Sequence, residues 1–341
     1  MCKQRFPFHK QWFGMAILIF VCRATFPTNG TAELWGDAEE LKAAAKQHQA
    51  NRERITTWQG KAKVEERLLA DKPLHSEVSF VYDAKSGNYR WNWTIKDVPE
   101  GSWKKYSPGE LLNGMVKDGK YYEYRSHLRH DAKGNDLPGG HLAITSPSQQ
   151  SRHQNLVGYF DPMWHFTKPS GLKLDERLLF VAENAKDPKN KWETFQKGDV
   201  MTLRHDSDNS DLQIKDAEHI VNHIEIDLSK GANVTHAHYY SPSTNITTDF
   251  HIEWEKDNDV WVPKTFTCDM VEMKNGKKVY QNIRKVTWTE NVVNEPIPED
   301  AFTETAVGLR PGDRVTNSFA KEAYIVPEMK DPVPEESKAK K

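Results

Sequence analysis

The sequence predicts a mostly β protein of the α+β class, with antiparallel strands gathered into one large domain. Three observations carry that prediction. Apolar and polar residues alternate with a period of two in one segment after another, which marks strands with one buried and one wet face. A single amphipathic helical stripe occurs, too thin on its apolar side to form a bundle and suited to lean on something else. Aromatic residues are abundant, with eleven Trp in 341 residues, and aromatics favour strands and fill wide apolar spaces.

Taken in chain order, residues 1–32 read as a signal peptide. Lys3, Arg5 and Lys10 form a basic start, an apolar run extends from Phe13 to Cys22, and small residues near Ala24 and Ala32 offer cleavage points. The run is about half of the roughly twenty residues a bilayer span needs. Cys22 closes it, as a lipid-bearing cysteine would. Ile19, Phe20 and Val21 are too large for that motif, so a lipid anchor is disfavoured. Removal of the presequence leaves Cys268 alone. It cannot form an internal disulfide and reads as a small buried hydrophobe.

Asp37 and Glu40 fit a capping box, and the stretch to about Arg54 is rich in helix formers, with Leu34, Leu41, Ala45, His48 and Ile55 near one stripe. The period then changes to two. Trp58, Gly60, Ala62 and Val64 alternate with polar neighbours, as do Val78, Phe80 and Tyr82, then Tyr89, Trp91, Trp93 and Ile95. Residues 83–88 and the pair Asp118-Gly119 mark hairpin turns. Residues 132–154, with Gly134, Pro138, Gly139, Gly140 and Pro147, read as a loop. The apolar segment Leu156–Phe166 follows, interrupted by Pro162. Strands resume at 200–204, 219–227, 235–240, 248–255, 260–273 and 277–289, with Pro263 suggesting a strand end or edge. No fixed repeat or linker divides residues 33–326, so these form one domain, and 327–341 is a Pro-, Glu- and Lys-rich tail expected to be disordered.

A helix followed by a long meander, broken by a central insert, resembles the lipoprotein-carrier superfamily of LolA, LolB and RseB. The residues that carry the resemblance are the capped helix, Ile55–Gly60, the strands through Tyr89–Trp93, and the closing stretches Val293–Phe302 and Gly308–Val315. Such closing stretches occur in exported bacterial proteins of this type, common in planctomycetes. The resemblance implies a strongly curved antiparallel sheet, a half-barrel, whose apolar mouth is closed by helices. It also implies a periplasmic or extracellular monomer that handles lipid or lipoprotein.

Motifs for other chemistry are weak. A formal net charge of −2 gives no basic field for nucleic acid. His236 and His238 share one side of a strand, His219 and His223 lie two strand periods apart, and His127 and His130 are close. No H-E-x-x-H or cysteine pair accompanies them, and a metal site needs three or four converging ligands. They therefore read as surface or rim histidines, with no metal or other cofactor expected. Asp206–Asp211 lacks the Gly and Glu of a calcium loop, and no nucleophile elbow is present.

The sequence thus points to a non-enzymatic protein that holds a lipid, acyl chain or lipoprotein on an apolar concave sheet. Trp58, Val64, Phe80, Trp91 and Trp93 are candidates to line it in the first half, and Phe250, Ile252 and Trp254 in the second. Tyr159, Phe160, Met163 and Trp164 would form the lid, or else a plug completing the core. Recognition of another envelope protein on the same fold is the alternative, and a metal-dependent hydrolase built on His236 and His238 the third.

Overall fold

The computed structural model describes residues 34–35, 38–68, 72–100, 107–130, 136–146, 174–184, 192–207, 220–241, 245–274 and 277–327. Residues 1–33, 156–166 and 328–341 lie outside them. Among the described residues, no helix is long and apolar enough to cross a membrane.

A short strand β1 (Leu34–Trp35) precedes helix α1 (Ala38–Glu53). Five long strands and a sixth then run as a meander: β2 (Thr57–Leu68), β3 (Leu74–Asp83), β4 (Asn88–Asp97), β5 (Leu111–Lys117), β6 (Lys120–His130) and β7 (Asp136–Thr145). Helix α2 (Leu174–Glu183) separates these from β8 (Trp192–Lys197), β9 (Val200–Ser207), β10 (Ile220–Asp227), β11 (Asn233–Ser241), β12 (Ile246–Asp257), β13 (Val260–Lys274) and β14 (Lys277–Val293). A one-turn helix α3 (Glu304–Val307) and the strands β15 (Arg314–Asn317) and β16 (Glu322–Ile325) close the chain. All strands join one sheet in the order β1-β8-β9-β10-β11-β12-β13-β14-β2-β3-β4-β5-β6-β7-β15-β16. It is open and curved, not closed into a barrel, as the resemblance implies, and its strands and single N-terminal helix are those the pattern predicts.

The seam between the halves is β14 against β2, where Val286 faces Val64 and Trp288 faces Ala62. The register there follows from the pattern. A slip of one residue would turn each apolar set to solvent. Turns are set by local chemistry: Asp118 and Gly119 both take positive φ (49° and 69°), as do Asn258 and Asp259 (45° and 62°). Such pairs match the twist of two-residue hairpins.

Two expectations are corrected. Residues 136–145 are a strand and not a loop: β7 pairs antiparallel with β6, with Leu142 opposite Tyr124 and Ile144 opposite Tyr122. Leu142 and Ile144 alternate inward, and the adjacent glycines obscured that period. Pro263 lies inside β13 opposite Trp254, at a register shift in β12. The irregular pairing accommodates a residue that has no N–H to donate.

The chain after β14 wraps the outer face of the first half. Arg90 and Asn92 donate to the carbonyls of Ala301 and Ala306, at 2.5 and 3.2 Å. Asn113 donates to Val307 O at 2.7 Å. β15 then pairs parallel with β7, a departure from the otherwise antiparallel order. Met115, Tyr124, Leu142, Ile144, Val307 and Val315 form a second small core beneath this strap.

Candidate functional site

The register decides which side chains share the inner face. Phe80 lies opposite Gly60 on β2 and Trp91 on β4, and Trp93 opposite Val78. Phe250 faces Ala237 on one side and Cys268 on the other, while Ile252 faces Phe266. Trp58, Val64, Phe80, Trp91, Trp93, Phe250, Ile252 and Trp254 all belong to one apolar cluster. The structure therefore brings together the eight strand residues singled out from the sequence, on one face. Each is buried, with at most 6% of its surface exposed. In this structure they are core. The four candidates Tyr159, Phe160, Met163 and Trp164 lie outside the described residues.

Small residues make room for the rings. A Cβ on Gly60 would sit 2.6 Å from the Phe80 ring, and one on Gly114 only 1.9 Å from Cζ2 of Trp91. Trp58 meets Phe80 edge-on at 4.9 Å, Trp91 stacks between Tyr89 and Tyr121 at 5.5 and 6.0 Å, and Phe250 stacks on Phe266 at 5.7 Å. Two indoles are anchored: Trp58 Nε1 donates to Asn291 Oδ1 at 2.9 Å, and Trp254 Nε1 to Val234 O at 2.7 Å.

Polar groups punctuate this face. Arg284 donates to Glu66 at 2.8 Å, and both side chains are almost wholly buried. Trp91 Nε1, Ser76 Oγ and the Tyr239 hydroxyl are buried without a hydrogen-bond partner among the described residues. Such groups cost free energy unless something pairs with them. Burial pushes the Tyr239 hydroxyl well above its ordinary range, so it stays a neutral donor.

Two helices cover the face. Leu41, Ala44 and Ala45 of α1 and Leu174, Leu178, Val181 and Ala182 of α2 complete the apolar cluster. The buried α1 residues include His48, as the stripe predicts. Polar bonds attach α1 to the sheet. Asn51 donates to Trp261 O at 3.1 Å and accepts from Trp261 N at 2.9 Å, and Gln47 donates to Leu228 O at 2.6 Å. Arg52 clasps Asp175 of α2 through two bonds, 3.1 and 2.9 Å long. Burial alone would raise the Asp175 carboxyl, but the bonds and charge of Arg52, with His48 behind, hold it below its usual range. On its other side α2 exposes Leu179 and Phe180. Sequence reading missed α2, although Leu174, Leu178, Val181 and Ala182 follow a helical period and Asp175 and Glu176 sit in the first turn.

The histidines fall elsewhere. Ile224 and Ala237 point into the core, so their neighbours His223, Glu225, His236 and His238 project from the opposite face, with Asp249 and His251 on β12 alongside. Sequence spacing found the His236–His238 pair. It could not find its partners, which strand pairing supplies from up to 15 residues away.

No protein-family model matches the chain, and no curated protein matches it in sequence. In structure the chain is similar to several solved proteins. One is a domain from Vibrio parahaemolyticus described under outer membrane lipoprotein sorting, at 9% identity and a TM-score of 0.40, covering 80% of this chain and 99% of that one. Another is a LolA superfamily protein from Nitrosomonas europaea, at 10% identity and 0.36, covering 80% and 99%. A third is a DUF1329 family protein from Desulfovibrio piger, at 11% and 0.36, covering 80% and 100%. At these values the likeness is one of overall build, and function rests on this chain's own residues.

Proposed function

We propose that the protein is exported, loses residues 1–32, and binds an acyl chain or acylated protein between the inner face of its sheet and the α1–α2 pair. The observation that carries this reading is a single apolar face, rich in aromatics, that also holds buried polar groups with no partner among the described residues: Trp91 Nε1, Ser76 Oγ and the Tyr239 hydroxyl. A ligand with ester or amide oxygens would accept from all three. Each CH₂ of an acyl chain gains about 0.8 kcal/mol on leaving water, so a modest displacement of the helix pair can be offset by a long chain. The Arg52–Asp175 clasp joins α1 and α2 into one cover, while Asn51 and Gln47 tether α1 to the sheet side, so that α2 is the part with freedom to shift. The segment 156–166, with Tyr159, Phe160, Met163 and Trp164, leads directly into α2 and is assigned to the same cover.

A second reading has its own observation. β16 pairs only with β15 among the described residues, and Tyr324 and Ile325 on it are exposed. An envelope protein could add a strand there by β-augmentation.

Native mass spectrometry of the mature protein, purified without detergent from its own envelope, separates the two. A heterogeneous added mass that extracts into organic solvent is expected. A clean apo mass, together with failure to take up a fluorescent fatty acid, refutes the acyl-binding reading and leaves strand addition at β16.

A further inference from the structure

The outer face of β10–β12 gathers four histidines and two carboxylates where neither the inner-face site nor the helix cover reaches. His223 and Glu225 stand two residues apart on β10, so they point the same way, and His236 on β11 is the cross-strand partner of Glu225. His223 Nε2 lies 3.2 Å from His236 Nδ1. His236 Nδ1 lies 3.6 Å from Glu225 Oε2. The three donor atoms fall within 4.8 Å of one another.

These separations have a chemical meaning. A tetrahedral centre with bonds of about 2.0–2.1 Å to nitrogen and oxygen places its ligand atoms roughly 3.3–3.4 Å apart. The two measured gaps bracket that value. The third requirement is the state of His236: for Nδ1 to carry a lone pair, the proton must sit on Nε2. Asp249 Oδ1, 2.6 Å from His236 Nε2, holds it there. A carboxylate on the far nitrogen of a ligating imidazole is the arrangement that fixes tautomer and ring orientation in metal sites.

A second set, His236, Asp249 and His251, also converges. Its central gap argues against it. At 2.6 Å, His236 Nε2 and Asp249 Oδ1 are at hydrogen-bond distance, too close to be two ligands of one ion. His251 stacks on His236 at 4.3 Å with rings 4° from parallel, and His238 stacks on His223 at 5.5 Å. Both rings buttress the ligands and stop short of the donor triangle.

We propose that His223 Nε2, Glu225 Oε2 and His236 Nδ1 form a binding site for a divalent transition metal such as zinc, with Asp249 orienting His236. Glu225 and His236 are only part-buried, with 39% and 19% of their side chains exposed, so the fourth position opens to solvent and takes water. Two imidazoles and one carboxylate with one open position is the donor set of catalytic, not structural, zinc. The site also ties β10 to β11 across the register shift between Glu225 and Ile226. The assignment is independent of the acyl-binding reading.

The test uses the mature full-length protein, stripped with chelator and titrated with zinc alone by calorimetry, with cobalt as an optical probe of coordination. One equivalent, tetrahedral cobalt bands and loss of high-affinity binding in His223→Ala and His236→Ala are expected. Asp249→Asn should weaken binding about 10–100-fold while keeping one equivalent. His251→Ala should keep wild-type affinity, because its Nε2, 3.8 Å from Asp249 Oδ2, lies outside the donor triangle. Circular dichroism melts of each variant establish that the fold is kept, and a variant that fails to fold is replaced by the Gln substitution at the same position. Absence of stoichiometric zinc binding by the wild-type protein overturns the site. So does binding that survives His223→Ala, or that His251→Ala abolishes.

Discussion

Gly114 gives the sharpest test of how the inner face is packed. In a strand, replacing Gly by Ala ordinarily stabilises by about 0.4–1 kcal/mol, because the unfolded chain loses freedom. At Gly114 the added methyl would overlap Trp91, lying 1.9, 2.4 and 2.5 Å from three atoms of its indole. Trp91 is 1% exposed and stacks against Tyr89 and Tyr121, so the ring cannot swing away without moving both. Overpacking of this kind costs about 1–3 kcal/mol. A rigid indole with two stacked neighbours belongs at the upper end. Setting about 3 kcal/mol against the entropic gain leaves Gly114→Ala destabilised by roughly 2 kcal/mol. At about 2.1 cal/mol/K per residue, a domain of roughly 290 residues loses about 1.6 °C per kcal/mol, so the melting temperature should fall by about 3 °C. Denaturant titration and thermal melting would measure both quantities. The cause is isolated by a cycle with Trp91→Leu: in that background Gly114→Ala should lose most of its cost, a coupling in the range of about 0.5–3 kcal/mol seen for touching residues. If Gly114→Ala is neutral or stabilising in the wild-type background, the indole is not seated across this glycine, and the account of the first-half face is wrong.

Three further outcomes follow from named contacts. Arg284→Met should destabilise by about 3–5 kcal/mol in denaturant titration, because it strands the buried Glu66 carboxylate, and Glu66→Leu added to it should recover most of the loss. Burial and the nearby Asp313 push the Tyr124 hydroxyl up to about 12, against about 10 in an unfolded chain. The folded state therefore holds the proton more tightly. Its contribution is fully present below pH 10 and is lost as pH rises from there towards 12. Stability measured across that window should fall less steeply in Tyr124→Phe, and an equal slope refutes the assignment. Arg52→Gln should release α2 from α1, raising amide exchange in 174–183 and speeding fatty-acid uptake. Unchanged exchange there would mean the clasp does not hold the cover.

What the sequence made legible follows from how far apart the deciding residues lie. Alternation along β2, β3, β4 and β12 marked Trp58, Phe80, Trp91 and Phe250 as members of apolar strand faces, because a period of two is local; register then joined those faces into one. The turn at Asp118-Gly119 was equally local. The strand at 136–145 was hidden because glycine carries no apolar signal. Gly140 lies beneath the Tyr124 ring, and its N–H donates to Asp313 at 2.5 Å, 173 residues on. Nothing near residue 140 announces that partner. The His236–His238 pair was visible for the same reason as the strands. His223, Glu225 and Asp249 came to it through register alone, and register is a property of the assembled sheet.

The two outer faces of the sheet then differ for a physical reason. Over β4 to β7 the C-terminal strap covers the outer side. Asp313, itself 3% exposed, accepts from Gly140 N, Tyr124 Oη and Arg310 N, and Val307 and Val315 seal apolar contacts beneath. That face is committed to structure, although Arg90 Nε and Asn92 Oδ1 are buried there without a hydrogen-bond partner among the described residues. Over β10 to β12 the corresponding positions carry His223, Glu225, His236, His238, Asp249 and His251, from partly to largely accessible. A bare outer face needs only polarity to stay soluble, and Lys, Thr or Ser would supply it at less electrostatic cost. The convergence of His223 Nε2, Glu225 Oε2 and His236 Nδ1, with gaps of 3.2 and 3.6 Å, is better explained by a shared ligand than by solvation. If replacing His223 and His236 together with Thr and Lys raised stability in chelator yet lowered it in zinc, that explanation would hold; a gain in both would return these residues to plain surface.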